Sequence, residues 1–358
     1  MTVRLPLEEG RSSLEEGRSS AESPSRVGRR SLLAAAGALA AAGVAVSSAP
    51  ALAAVRTVAA TGLPPATAHG LYVEKDGPAR LLIWQRANPG QRWIRYDVRR
   101  FTVPAKRLDA WRVQGIAALR PDTSAPSPGG AEAPSIELTT PANYEYAFKL
   151  AGQQSHLGGM HGHELLRSFL MVADGRAVPV AEPGALTAFD TFELAQDTEL
   201  FDPLSDPPTP IGDLHVRHVF TAGGLGLRWR LDWRAERSVS VAYGAMLPAI
   251  RAADVTTRMR YLDQAREYDI AAEGHDAPSA DSYGVQMYNT TNGASLSVEL
   301  GPEFFGGYTR SAGRGLWVYD GAKYNKVYPT RVFDPHQEPV AAGDAWHLEA
   351  TYRFRFPA

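Results

Sequence analysis

The chain has 358 residues, a formal net charge of −2 at pH 7, 33 glycines, 26 prolines and no cysteine. The near-neutral charge argues against a nucleic-acid partner, and the lack of cysteine excludes a disulfide scaffold, so the core alone must stabilise the fold. This length, less an N-terminal leader, suffices for one large β domain or two smaller ones.

The first 53 residues have the pattern of an export signal. Arg29 and Arg30 precede an alanine-rich apolar run at 32–46, and the ALA triplet at 51–53 offers a cleavage site. An arginine pair ahead of such a run is typical of the twin-arginine route, and an ordinary secretory signal with an accidental arginine pair is the alternative. We predict a twin-arginine signal peptide over 1–53, the export machinery as a partner and a secreted, extracytoplasmic location.

Upstream of the arginine pair, LEEGRSS occurs twice in tandem at 7–13 and 14–20, which indicates a low-complexity leader. The apolar run falls short of the ~20 apolar residues that a membrane-spanning helix needs, and Pro50 follows it. We therefore expect no membrane association once the signal peptide has been removed.

Alternation with a period of two dominates the chain after the signal, which is typical of half-buried strands. The dipeptides at 292–293 (Asn-Gly) and 320–321 (Asp-Gly) each lie between two such strands and suit a tight hairpin turn. Only 254–267 has a short helical pattern. The clearest strand places apolar residues at Leu225, Leu227, Trp229, Leu231 and Trp233, and polar or small residues at Gly226, Arg228, Arg230 and Asp232.

One apolar and one polar face on each strand predict antiparallel sheets packed face to face. The predicted fold class is all-β: a large antiparallel β-sandwich, or super-sandwich, with few short helices. The segment 120–134 is rich in proline, glycine and serine and predicts a loop, which could separate an N-terminal β module, 54–120, from the rest. Because 54–120 is small for a core of its own, we predict a single domain over 54–358.

Four segments carry a family resemblance: GGMHGHE with the VADG that follows it, HVRHVFTAGGLGLRWRLDW, SVSVAYGAMLP and the closing VAAGDAWHLEATYRFRF. In their order, within 140–358, they resemble the galactose-mutarotase-like super-sandwich. That antiparallel β fold is shared by sugar epimerases, domains of polysaccharide lyases and several glycosidases. The resemblance implies a carbohydrate ligand on a concave sheet, with catalysis by histidine, glutamate, aspartate, tyrosine or arginine.

The stretch HLGGMHGHE at 156–164 holds three of the nine histidines, among three glycines. If it is extended, His161 and His163 point to one face and Glu164 to the other. Glycine in a strand often marks a bulge or the close approach of a ligand. We predict His161, His163 and Glu164 as catalytic residues, and a glycine-rich turn with solvent-exposed histidines is the alternative.

The same two histidines have the His-x-His spacing of metal ligands on a cupin strand. There a glutamate follows four or five residues later, whereas here Glu164 follows at once and 165–169 hold no carboxylate. We therefore predict no metal and no other cofactor. A metal ion held by this stretch, with His156 as a further ligand, stays open as the alternative.

A second histidine cluster lies further along the chain. Alternation places His215 and Arg217 on one face and His218 on the apolar row, where histidine is more often a hydrogen-bonded core residue. We predict His215 as a further catalytic residue, and Arg217, Arg228 and Arg230 as substrate-binding residues, because guanidinium groups bind sugar carboxylates through two parallel hydrogen bonds. A solvated face with cross-strand ion pairs explains the same pattern.

Aromatic residues crowd the C-terminal hairpins. Their rings can stack on sugars, yet tyrosine is also a favoured strand residue, so most of them should be packing. We assign Tyr283 to substrate binding. The whole set is Tyr283, Tyr288, Tyr308, Trp317, Tyr319, Tyr324 and Tyr328.

We predict a secreted carbohydrate-active enzyme, a polysaccharide lyase or other sugar-processing enzyme acting on an extracellular, acidic glycan. In a lyase, Arg217 or Arg230 would neutralise the uronate carboxylate, His161 or His163 would remove the α-proton, and a second histidine or a tyrosine would protonate the leaving oxygen. This requires both imidazoles to share a hollow with the guanidinium groups. Hydrolase and epimerase chemistry, a non-catalytic carbohydrate-binding or cell-surface protein, and a metal-dependent cupin-like enzyme stay open.

Overall fold

The structure, a computed structural model, describes residues 70–120, 126, 135–141, 144–179, 184–301 and 315–358. The signal peptide predicted over 1–53 and most of the loop predicted over 120–134 lie outside the described residues. Across the described ranges, none of the helices has the length and apolar character needed to span a bilayer.

Strands make up nearly all the regular structure of the described residues, with single turns of 3-10 helix at Pro104–Lys106 and Gly159–His161. The strands are β1 (Leu71–Lys75), β2 (Arg80–Gln85), β3 (Ile94–Val103), β4 (Leu108–Leu119), β5 (Ser135–Glu137), β6 (Tyr146–Leu150), β7 (Glu164–Ala173), β8 (Arg176–Val178), β9 (Gly184–Phe189), β10 (Thr191–Phe201), β11 (Pro210–Thr221), β12 (Gly224–Trp233), β13 (Arg237–Gly244), β14 (Leu247–Ile250), β15 (Arg258–Tyr261), β16 (Glu267–Asp269), β17 (Gly284–Tyr288), β18 (Ser295–Leu300), β19 (Leu316–Asp320), β20 (Tyr324–Val332), β21 (Glu338–Val340) and β22 (Ala345–Arg355).

The strands form two sheets. A sixteen-stranded sheet has the order β16-β15-β17-β18-β22-β12-β11-β10-β7-β4-β3-β2-β1-β9, with β5 on β4 and β8 on β7. A six-stranded sheet has the order β14-β20-β13-β21, with β19 on β20 and β6 on β13. Pairing is antiparallel except between β4 and β7, which run parallel where Leu108 meets Glu164. The all-β, antiparallel sandwich with few short helices is confirmed.

The main core lies between the two sheets and is filled by the apolar rows that the alternation predicted. Trp229 of β12 lies edge-on to Tyr146 and Phe148 of β6, with ring centroids 6.0 and 5.8 Å apart. All three side chains are buried. Full burial of one such side chain contributes about 1.5–3 kcal/mol, so the alternating rows are the main source of stability.

Of the predictions for short segments, the two hairpin turns are confirmed and the helix is wrong. The hairpins at 292–293 and 320–321 are confirmed: they join β17 to β18 and β19 to β20, and Gly293 has a φ of +71°. The helix predicted over 254–267 is wrong, because this segment contains β15. β15 pairs with β17, and the side chains of Met259 and Tyr261 are buried in the core, so strand pairing and burial override the weak helical pattern.

Candidate functional site

The glycine-rich stretch is a tight turn and not a strand, so the predicted strand-like orientation of its side chains is wrong. Gly158, Gly159, Gly162 and His163 have positive φ values of +76°, +55°, +97° and +55°. A Cβ at Gly162 would lie 2.1 Å from the carbonyl oxygen of Lys106, so only glycine fits there. The glycine therefore accommodates the protein's own backbone where we predicted the approach of a ligand.

Glu164, the first residue of β7, lies in the core. Its carboxylate is fully buried and receives hydrogen bonds from both sheets and from the turn at Gly159–His161, which leaves it beyond the reach of a ligand at the surface. The donors are Arg112 Nη2 (2.5 Å), Tyr146 Oη (2.7 Å), Thr198 Oγ1 (2.7 Å) and the backbone N–H of Gly159 (3.1 Å).

His161 and His163 have different surroundings. The half-buried ring of His163 lies near Arg107 and Asp202, and burial followed by the charge of Arg107 lowers its pKa. The ring of His161 instead lies 4.9 Å from that of His156. The two imidazoles predicted to work together therefore do not share one face.

The predicted hollow shared by these histidines and the arginines is not formed. Arg217 pairs with Ala195 of β10, which pairs with Leu170 in the second half of β7. At about 3.3 Å per residue, Leu170 is about 20 Å from Glu164, where β7 begins directly after the histidines. The prediction fails because strand register, which local alternation does not reveal, sets how far apart residues on a common sheet lie.

The polar face of the sixteen-stranded sheet carries ion pairs between neighbouring side chains. His215, Arg217, Arg228 and Arg230 do share this face, as alternation predicted, and their side chains are about half or more exposed. Exposed pairs of this kind contribute only about 0–1 kcal/mol each. The pairs are His215–Asp197 (2.7 Å), Arg217–Glu193 (3.4 Å), Arg228–Glu349 (3.2 Å) and Arg230–Asp232 (2.7 Å).

A groove of about 490 Å³ runs along this polar face between β11, β12, β18 and β22. Gly224, Gly226 and Gly301 form part of its lining, and Arg228 borders it. Tyr283 lies just before β17 and is 49% exposed. Two arginines line this groove, and each already has a carboxylate partner: Arg228 pairs with Glu349 at 3.2 Å and Arg353 with Glu299 at 2.5 Å.

His218 is a core residue, as its place on the apolar row predicted. It is 2% exposed, and its Nε2 lies 3.2 Å from Oε1 of the buried Glu145. Burial by itself would raise the pKa of Glu145, but His218, Arg112 and the N–H of Val113 outweigh burial and lower it. The pair joins the sixteen-stranded sheet to the residue that precedes β6 of the other sheet.

The outward side of the six-stranded sheet carries a cluster of aromatic rings. Because side chains alternate along β20, Val327 enters the main core while Tyr328 points outward. Ring centroids are 4.7 Å apart for Tyr243 and Tyr328, 4.9 Å for Trp317 and Tyr328, and 5.4 Å for Trp317 and Phe333. Tyr243 is buried, whereas the other three are half-buried and partly accessible. We call Tyr243, Trp317, Tyr328 and Phe333 the aromatic face.

Two histidines of the glycine-rich stretch lie at the aromatic face. The ring of His156 stacks near Tyr243 at 6.2 Å, and His161 lies beside His156. Burial, followed by Lys149 and Lys326, lowers the pKa of His156 to about 4. Partial desolvation of the ring, followed by His156 and Lys326, lowers the pKa of His161 to about 3, although the residue as a whole is exposed. Solvent reduces the shift in the pKa of the exposed His161. With or without that reduction, both rings are neutral at pH 7 and can accept a proton.

No protein-family model matches the chain, and no curated protein matches its sequence. Among solved structures it is similar to heparinase III, with a TM-score of 0.36 and 8% identity, over 79% of this chain and 36% of that one. It is also similar to the GH36 α-galactosidase AgaA of Geobacillus stearothermophilus, with a TM-score of 0.34 and 8% identity, over 80% of this chain and 41% of that one.

A third similar structure is a galactose mutarotase related enzyme from Lactobacillus acidophilus, with a TM-score of 0.33 and 8% identity, over 80% of this chain and 97% of that one. The chain therefore spans less than half the length of the first two proteins and nearly all of the third. Because these TM-scores lie below 0.5, the similarities carry no argument about what this chain does.

The cupin-like metal set is not assembled. Glu164 is turned into the core, and His161 and His163 lie in different surroundings. Across the described ranges, no group of three or more histidine, aspartate or glutamate side chains could hold a metal ion.

Sequence analysis singled out Trp317, Tyr328 and His161 but missed Tyr243 and Lys326. The alternation of Tyr324, Lys326 and Tyr328 along β20 was a usable signal for the lysine. Tyr243 offered none, because a register shift between Val239 and Val241 changes which side chains of β13 face outward. Such a shift depends on the pairing partner, here β6.

Proposed function

We propose that this chain is a carbohydrate-active protein whose ligand site is the aromatic face. The observation that carries the proposal is the set of half-buried rings, Trp317, Tyr328 and Phe333, beside the neutral imidazoles of His156 and His161. Aromatic rings stack on the C–H surfaces of sugars, and a neutral imidazole can accept a proton from the bound ligand.

The reaction that this arrangement favours is removal of a proton from the sugar, as in a lyase or an epimerase. His161 is the proposed general base because it is exposed and neutral, whereas His156 lies behind it against Tyr243. The carboxylate of Asp334, which acts electrostatically on His156, already pairs with Lys149 at 3.5 Å. Hydrolysis of glycosides ordinarily uses two flanking carboxylates, so a hydrolase is the less favoured candidate.

A non-catalytic carbohydrate-binding protein is the second candidate. The specific observation that favours it is the low pKa of about 3 for His161, since a base is most effective when its pKa is near the working pH. Binding of a glycan without product formation, unchanged on replacement of His161, would select this candidate.

Replacing Trp317 by Ala should weaken binding of the glycan by about 10-fold or more, because loss of an aromatic anchor at the centre of a site commonly costs 1–2 kcal/mol or more. The measurement is a glycan array on the processed chain, followed by titration calorimetry with the best ligand. Arg228→Ala, in the groove of the sixteen-stranded sheet, tests the rival location. Weakened binding in Arg228→Ala with unchanged binding in Trp317→Ala would contradict the proposal.

We also propose that the chain is exported by the twin-arginine route and that 1–53 are removed. Replacing Arg29 and Arg30 by lysines should abolish export, because that route depends on the arginine pair. Immunoblots of cytoplasmic and extracytoplasmic fractions from a bacterial host with this pathway measure the effect. Undiminished export of the double-lysine variant would show that the ordinary secretory route is used.

A further inference from the structure

Lys326 is a buried cation on the aromatic face. It lies on the outward side of β20, is 6% exposed, and has its Nζ 4.8 Å from the ring centroid of Tyr328. Among the residues that the structure describes, this ring is its close partner, and no carboxylate lies within ion-pair distance of the ammonium. Its Nζ lies beside the half-buried ring of Tyr328, on the side of β20 that carries the aromatic face.

The charge of Lys326 is poorly compensated. Glu145 attracts it electrostatically, but the hydrogen bonds of that carboxylate go to His218 and to the N–H of Val113. A buried ammonium without a partner costs free energy, and burial accordingly lowers the pKa of Lys326 to about 8. A ligand that brings a negative charge would supply the missing partner.

The surroundings of the two imidazoles are also positive. Lys326 and Lys149 act on His156, and Lys326 and Lys106 act on His161, in each case lowering the pKa of the ring. An anion bound at Lys326 would offset this field and raise the pKa of both rings toward the working pH. Binding of such a ligand would therefore make His161, the proposed base, stronger in the complex than in the free protein.

We propose that Lys326 is the anion subsite of the aromatic face, and that the ligand is a sugar chain carrying carboxylate or sulfate groups. The inference rests on the proposed function, because it takes the aromatic face as the carbohydrate site. The rings contact the C–H surface of one sugar unit while the ammonium pairs with its acidic substituent. This role replaces the one predicted for Arg217 and Arg230, which lie on the other sheet.

The test uses two matched pairs of oligosaccharides: oligogalacturonides with free or methyl-esterified carboxyl groups, and dextran oligosaccharides with or without sulfate esters. Titration calorimetry on the processed chain should show tighter binding of the anionic member of at least one pair, by at least about 10-fold. Lys326→Met should abolish that preference, and Lys326→Arg should retain part of it. Lys323→Met, which removes an exposed lysine from the β19–β20 turn, is the matched charge control and should leave the preference intact.

The two pairs separate carboxylate from sulfate as the recognised group. Thermal unfolding monitors the fold: Lys326→Met should keep the wild-type melting temperature or exceed it, because an uncompensated buried charge has been removed. A preference for the anionic member that persists in Lys326→Met overturns this inference, as does equal binding of both members in the wild type. Absence of binding to all four ligands in a chain that binds another glycan of the array also overturns this inference, whereas absence of binding to every glycan of the array overturns the proposed function itself.

Discussion

Replacing Arg112 by Met should lower the free energy of unfolding by about 3–5 kcal/mol, because it leaves a charged carboxylate unpaired in the core. Arg112 Nη2 lies 2.5 Å from Glu164 Oε2, and both side chains are fully buried. The same guanidinium also donates to the hydroxyl of Tyr146 at 2.7 Å and to the carbonyl of Trp111 at 2.8 Å. Urea unfolding followed by tryptophan fluorescence measures the loss.

Two further variants show whether the buried charges are the cause. Combining Arg112→Met with Glu164→Gln removes both charges, so the double variant should be destabilised by clearly less than the sum of the two single losses. Arg217→Ala removes an exposed pair, with Glu193 at 3.4 Å, and should change stability by at most about 1 kcal/mol. Additive losses in the double variant, or an equal loss in Arg217→Ala, would show that this ion pair does not act as described.

His161→Ala should lower turnover of the identified glycan by about 100- to 10,000-fold, the usual contribution of a general base, without changing the melting temperature. The ring lies at the surface of the aromatic face and makes a ring contact with His156, so its removal leaves the core intact. Turnover is measured by the ultraviolet absorbance of an unsaturated product for a lyase, and by separation of the epimers for an epimerase.

The pH dependence provides an independent check on the same residue. The base must be neutral to act, and its pKa is lowered, so activity is present above the lowered pKa and is lost as the pH falls through it. The acid limb of kcat/KM, which reports the free enzyme, should therefore lie below the ordinary histidine value of about 6.5. Wild-type turnover in His161→Ala, with loss in His163→Ala or His215→Ala, would move the reaction to another site.

The strands and their faces could be predicted because they depend on near neighbours in the chain. Side chains alternate along any strand, so the apolar row through Trp229 and the place of His218 in the core follow from spacing alone. The hairpin at 292–293 follows in the same way, since Asn-Gly adopts the backbone angles of a tight turn. The same local pattern placed Arg217 and Arg230 together on the polar face.

The site could not be predicted, because it is built from residues that meet only through strand register and bulges. Arg112 and Glu164 are separated by 52 positions, and the residues around Glu164 in the chain do not indicate that it pairs with a buried guanidinium. The positive φ values at 158, 159, 162 and 163 place the ring of His161 beside that of His156 and near Lys326, away from the arginines. A strand's period states which side of a sheet a side chain occupies, whereas long-range pairing decides what lies beside it. The pairing of β13 with β20, together with the turn at Gly159–His161, therefore gave His161, Tyr243 and Lys326 their common surface.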